Sequence, residues 1–127
     1  MKLTTCVATA LFCSFGSFAL AQTGAKMTND QLVQLTANGL SMTLGGKGEG
    51  YSGKLTLKKD GTGKGSAKTD AGDKISISGT WEIRDGKFCR VWAKLNDGKE
   101  LCETWYLTSG NSAEVFDGKR RVGVNAW

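Results

Sequence analysis

GTWEIRDGKFCRVW (residues 79–92), followed after AKLNDGKE by LCETWY (residues 101–106), decides how this chain folds. The two runs hold three of the four tryptophans and two of the four cysteines. Asp85-Gly86 lies between two β-prone runs, and Asp-Gly there favours a type I′ turn with positive φ at both central residues. A two-residue turn pairs Arg84 with Lys87, Ile83 with Phe88, Glu82 with Cys89 and Trp81 with Arg90. Side chains alternate along a strand. Trp81, Ile83, Phe88, Arg90 and Trp92 therefore share one face, and Glu82, Cys89 and Val91 the other. The first face is large and apolar and belongs to the core. Arg90 on that face needs a partner or a route to water, because a lone buried charge is very costly.

The second connection poses a conflict. A two-residue turn at Asp97-Gly98 pairs Ala93 with Cys102, which leaves Cys89 roughly 13 Å along the strand. A disulfide cannot close beyond a Cα separation of about 7 Å. Direct pairing of Cys89 with Cys102 requires a longer loop, from about Ala93 to Gly98. The longer loop is preferred, since an exported chain with two cysteines usually oxidises them. Arg90 then lies opposite Leu101 and Glu103 opposite Phe88. Arg90 becomes a diagonal neighbour of Glu103, with Trp81, Trp92 and Trp105 around the two, and the face of Trp81 offers a cation–π contact.

Export itself is read from residues 1–21, which have the form of a signal peptide. Lys2 supplies the positive start, Leu3 to Phe18 carries no charge, and Ala19-Leu20-Ala21 fits the cleavage pattern. The apolar run is short for a membrane span, and Phe12 before Cys13 argues against a lipoprotein signal. A mature chain, residues 22–127, would retain only Cys89 and Cys102, an even count suited to an oxidising compartment. Removing Lys2 takes the net charge from +5 to +4.

Farther along, Thr28-Asn29-Asp30-Gln31 is a capping box, and Asn38-Gly39 is a C-terminal stop. One short helix over about Asn29 to Ala37 follows. Alternating runs then recur between turn signals. Leu55 and Leu57 face in, as do Gly65, Ala67, Ile75 and Ile77, while Lys54, Lys58, Lys64, Lys68 and Lys74 face out. Ala113 to Phe116 and Arg120 to Ala126 make a last hairpin about Asp117-Gly118. The pattern predicts a mainly all-β single domain: an antiparallel up-and-down meander of about eight strands, forming a small barrel or half-barrel, with one N-terminal helix.

Few residue groups suit catalysis. The sequence has no histidine, so a serine nucleophile lacks its usual base, and zinc lacks a ligand set once the cysteines pair. No cofactor motif is present: Gly45-Gly46-Lys47-Gly48-Glu49-Gly50 has no Ser or Thr after its lysine, as a phosphate loop requires, and reads as a loop at a barrel mouth. The lysine face suits an anionic envelope component, though its preferred reading is a solvated wall that discourages aggregation. Nucleic acid is not expected, nor stable membrane insertion after signal cleavage, and the chain reads as a monomer. Trp81, Arg90, Trp92, Glu103 and Trp105 are the candidate ligand-binding residues. They form either an aromatic-walled cup with two fixed charges or the filled core of a barrel just wide enough for its own side chains.

The runs Gly79-Thr80-Trp81-Glu82-Ile83, Asp85-Gly86-Lys87-Phe88-Cys89 and Cys102-Glu103-Thr104-Trp105-Tyr106 resemble small exported proteobacterial proteins of the domain of unknown function 995 family. The resemblance implies a signal peptide and a β-rich domain with no assigned activity. The expectation is a non-enzymatic periplasmic or secreted domain binding a small ligand or envelope component. The alternative is a protein-interaction module resembling periplasmic protease or lysozyme inhibitors, for which Gln22 to Met27 would serve as an arm.

Overall fold

The computed structural model describes residues 24–127. Residues 1–21, expected to be a signal peptide, lie outside the described residues with Cys6 and Cys13, as does Gln22. The elements in chain order are β1 (Ala25–Lys26), α1 (Asn29–Thr36), β2 (Leu40–Gly45), β3 (Tyr51–Leu57), β4 (Thr62–Thr69), β5 (Lys74–Arg84), β6 (Lys87–Trp92), β7 (Leu101–Ser109), β8 (Ser112–Asp117) and β9 (Arg120–Ala126). From β2 to β9 each strand pairs antiparallel with the next, and β9 returns to β2 through Thr43 opposite Ala126 and Leu44 opposite Asn125. The result is a closed eight-stranded up-and-down barrel. Closure settles the choice between barrel and half-barrel.

The central hairpins have the expected register. Trp81 lies opposite Arg90, Glu82 opposite Cys89 and Ile83 opposite Phe88. Asp85 and Gly86 both have positive φ. Across the next seam Phe88 faces Glu103, Cys89 faces Cys102 and Arg90 faces Leu101. The Cys89–Cys102 disulfide is formed, and the connection is the longer loop, with a 3-10 turn at Asn96–Gly98.

One end of the barrel is plugged. Thr28 and Gln31 complete a reciprocal capping box at the start of α1, which satisfies amides that a helix start leaves unpaired. Gly39, at φ +79°, stops the helix and donates its amide to the Thr36 carbonyl at 3.0 Å. Leu32 points into the barrel and is wholly buried. The Asn29 side chain accepts from the Gly86 amide at 2.9 Å, which ties the helix to the β5–β6 turn. Ahead of the helix, β1 adds to β7 where β6 has ended, with Ala25 opposite Leu107 and Lys26 opposite Tyr106. The Met27 amide donates to the Trp105 carbonyl, and the Met27 side chain is buried. From Gly24 onward the expected arm is thus barrel wall.

Aromatic rings fill this end. Trp81 stacks on Phe88, Phe88 packs on Trp105, and Trp105 stacks on Trp127, with centroids 5.9, 5.1 and 6.1 Å apart. Glycines make the wall bend around them. Gly63, Gly79 and Trp92 occupy one row across β4, β5 and β6, and the Trp92 indole lies over both glycines. A Cβ on Gly79 would fall 1.9 Å from the Val91 carbonyl oxygen, whereas one on Gly110 meets open space. Gly79→Ala should therefore cost about 1–3 kcal/mol. Gly110→Ala should stay within about 0.5 kcal/mol. Urea denaturation of the two variants checks the contrast.

Candidate functional site: a half-hollow barrel

Away from the helix the barrel is hollow, with a cavity of about 220 Å³. Its walls come from Leu44, Leu55, Ile75, Ile77, Val115 and Val122, with Leu95 of the 93–100 loop at the rim and Phe88 on the floor. Eight strands usually leave just enough room for their own side chains. Here the β3–β4 wall presents Gly53, Gly65 and Ala67 inward, and the large residues opposite do not refill that space. The two strands approach closely: a Cβ on Gly65 would lie 2.1 Å from the Lys54 carbonyl oxygen.

Arg90 and Glu103 meet inside this cavity. The Arg90 Nε donates to Glu103 Oε1 at 2.7 Å, and the two side chains are only 17 % and 8 % exposed. The Trp105 indole nitrogen donates to Glu103 Oε2 at 3.2 Å from beneath. Both carboxylate oxygens are thus engaged, as a buried charge requires.

Of the five sequence candidates, Arg90, Trp92 and Glu103 line the cavity. Trp105 lies beneath it, wholly buried, and positions Glu103. Trp81 belongs to the aromatic plug. Its ring stacks on Phe88 and its indole nitrogen donates to the Thr62 carbonyl at 2.9 Å. Among the described residues it makes no ring contact with Arg90; its stacking partner is Phe88.

Two further polar residues line the cavity, Tyr51 and Asn125. Tyr51 is half-buried, and burial pushes its hydroxyl up from the ordinary phenol value against a smaller opposite pull from the Val124 backbone. Its hydroxyl fills the space at Gly123, where a Cβ would lie 1.8 Å away. Asn125 is 8 % exposed. Neither carries a motif: Tyr51 shares the inward parity of Leu55 and Leu57 on β3, whereas Asn125 comes inward where β9 closes on β2 opposite Leu44.

The glycine-rich segment lies at the mouth, as its position before β3 suggested, and is fastened. Arg121 Nη1 and Nη2 each reach a Glu49 oxygen at 2.8 Å, and its Nε donates to Glu114 at 2.6 Å. This fork-to-fork geometry raises the guanidinium pKa and holds the Glu49 carboxyl below the usual carboxylate range, chiefly through the Arg121 hydrogen bonds. On the opposite rim Lys94, Asn96 and Asp97 have left-handed backbone, at φ 68°, 51° and 55°.

The outer wall carries other chemistry. Lys54, Lys58, Lys64, Lys68 and Lys74 are all exposed, as expected. Lys68 lies directly opposite Lys74. The disulfide also faces outward, beside Glu100 and Arg84, which pair with each other. Cys89, Glu100 and Cys102 lie close enough to group around an ion, but both sulfurs are committed to the disulfide. Among the described residues no helix is long and apolar enough to cross a membrane. Comparison with known proteins found no matching family model, no matching curated protein and no matching solved structure.

Removing the Glu103 charge leaves Arg90 uncompensated, so Glu103→Gln should destabilise by about 3 kcal/mol. Glu100→Gln, which breaks only an exposed pair, should do far less. Arg90→Met together with Glu103→Gln should recover part of the loss. Urea midpoints rank the variants, and equal small shifts for Glu100→Gln and Glu103→Gln would contradict the buried-pair account.

The mouth ion pair predicts a pH dependence. A carboxyl whose pKa is lowered by folding stabilises fully above its ordinary value, about 4.3 for Glu. That contribution is lost as pH falls through the lowered value. Glu49→Gln should therefore cost stability at pH 7 and flatten the acid limb of the stability curve below about pH 4. Denaturation curves for wild type and variant between pH 7 and 2 measure it; parallel limbs would mean the pair contributes nothing.

Proposed function

We propose that this chain is an exported, non-enzymatic β-barrel domain that binds a small ligand, of cell-envelope origin, inside the barrel. The observation that carries the reading is the cavity of about 220 Å³, walled by apolar side chains and holding one buried ion pair. An apolar hollow with a few fixed polar groups is the usual form of a small-molecule site. The disulfide suits an oxidising compartment, in keeping with the signal-peptide pattern of residues 1–21. The charged groups of the cavity are one mutually paired Arg and Glu, which equips it to hold a molecule better than to transform one. The resemblance to the domain of unknown function 995 family belongs to the same proposal and adds no ligand. The protein-interaction alternative draws no support from residues 24–27, which lie in the barrel wall and under the helix.

Native mass spectrometry of protein purified from the periplasm tests the reading. Wild type should carry a small-molecule adduct, and Ile75→Trp, which fills the hollow, should not. Adding a small-molecule extract of the same cells should raise the wild-type Tm, since ligand at a hundred times its Kd stabilises by about 2.7 kcal/mol. No adduct and no change in Tm would overturn the assignment.

A further inference from the structure

We infer that the cavity takes an uncharged molecule with an apolar body and a carbonyl-type acceptor at one end, held by the terminal nitrogens of Arg90. This rests on the reading of the cavity as a ligand site. Arg90 uses only Nε in its bond to Glu103. Among the described residues its Nη1 and Nη2 have no hydrogen-bond partner in the protein. No buried side-chain nitrogen or oxygen there lacks a partner, so these two nitrogens are not sealed within packed protein. Arg90 lines the cavity, and that is the space they open onto. Asn125 repeats the pattern independently. It is more than nine-tenths buried, lines the same cavity, and its side-chain amide makes no hydrogen bond among the described residues. The hollow therefore presents polar groups that have no protein partner and stand open to it, where water or a ligand head group can meet them.

Charge decides the kind of head group. Among the described residues Arg90 and Glu103 are the only ionic side chains lining the cavity, and they neutralise one another. Both oxygens of Glu103 are engaged, by Arg90 and by Trp105, so an ammonium would bring a positive charge beside Arg90 with no free anion to balance it. A carboxylate would bring in a negative charge with no cation left to balance it, in surroundings where an unbalanced charge is costly. A carbonyl oxygen has two lone pairs. It can accept from the guanidinium fork and leave the ion pair balanced. The hollow, about 220 Å³ or roughly the liquid volume of seven waters, suits a small molecule whose head lies at Arg90 and whose body can extend toward the open mouth.

A matched series tests the inference on the exported protein: toluene, benzamide, benzoate and benzylammonium, titrated while NMR follows the methyl groups of Leu55, Ile77 and Val115. Benzamide should bind about tenfold tighter than toluene, the value of one net hydrogen bond, and tighter than either ion. In Arg90→Met/Glu103→Gln the benzamide advantage should vanish while toluene binding persists. Toluene binding as tightly as benzamide to wild type would overturn the acceptor inference and leave the cavity reading standing. Benzoate binding more tightly than benzamide would overturn the uncharged head group. If none of the four moves a cavity methyl, the ligand-site reading fails and this inference with it. The wild-type ranking decides the head group even if the double variant does not fold.

Discussion

The pairing of Cys89 with Cys102 is the constraint on which the inner surface depends. It lies at the middle of a β6–β7 seam of three residue pairs. A one-residue slip in a strand turns every side chain to the other face. Shifted that way, Glu103 would leave the interior and abandon Arg90. The covalent bond on the outer face thus fixes an ion pair on the inner one. Glu103 then receives Arg90 from the side and Trp105 from below, so one register sets the floor of the cavity.

Above and below that floor the barrel differs in filling. Beneath it, four aromatic rings and Leu32 of the helix pack the interior. Above it, small inward residues on β3 and β4 leave space. Filled and hollow halves are consistent with a single continuous sheet, because glycine serves both. At Gly63 and Gly79 it admits the Trp92 indole, and at Gly53 and Gly65 it lets neighbouring backbone approach.

Much of this was legible in the sequence. The Asp85-Gly86 turn fixed one hairpin and the cysteine distance argument the next, and together they placed Arg90 beside Glu103. Alternation assigned the faces of β3, β4 and β5. What alternation could not assign was volume. Whether tryptophans on an inner face fill a core or wall a cup depends on what lies across the barrel, and those residues come from distant strands. Trp81 and Trp105 proved to be packing, while the cavity is also lined by Tyr51, inward by the same alternation as Leu55, and by Asn125, which carried no local signal. The two-residue β1 is too short for any periodicity; only the unpaired edge of β7 explains it.

The helix plug is fastened on two sides, by β1 in the sheet and by Asn29 on the β5–β6 turn. Swinging it aside would break strand pairing, so the barrel is a blind-ended vessel. Anything that enters must leave by the same door. Substitutions that only widen or obstruct that door act on arrival and departure alike, and change how fast equilibrium is reached without changing where it lies. For the proposed ligand, affinity and exchange rate would therefore be governed by separate parts of the chain. The floor at Arg90 and Glu103 would set the first, and the two rim loops, one fastened by Glu49 and the other bearing Leu95, the second.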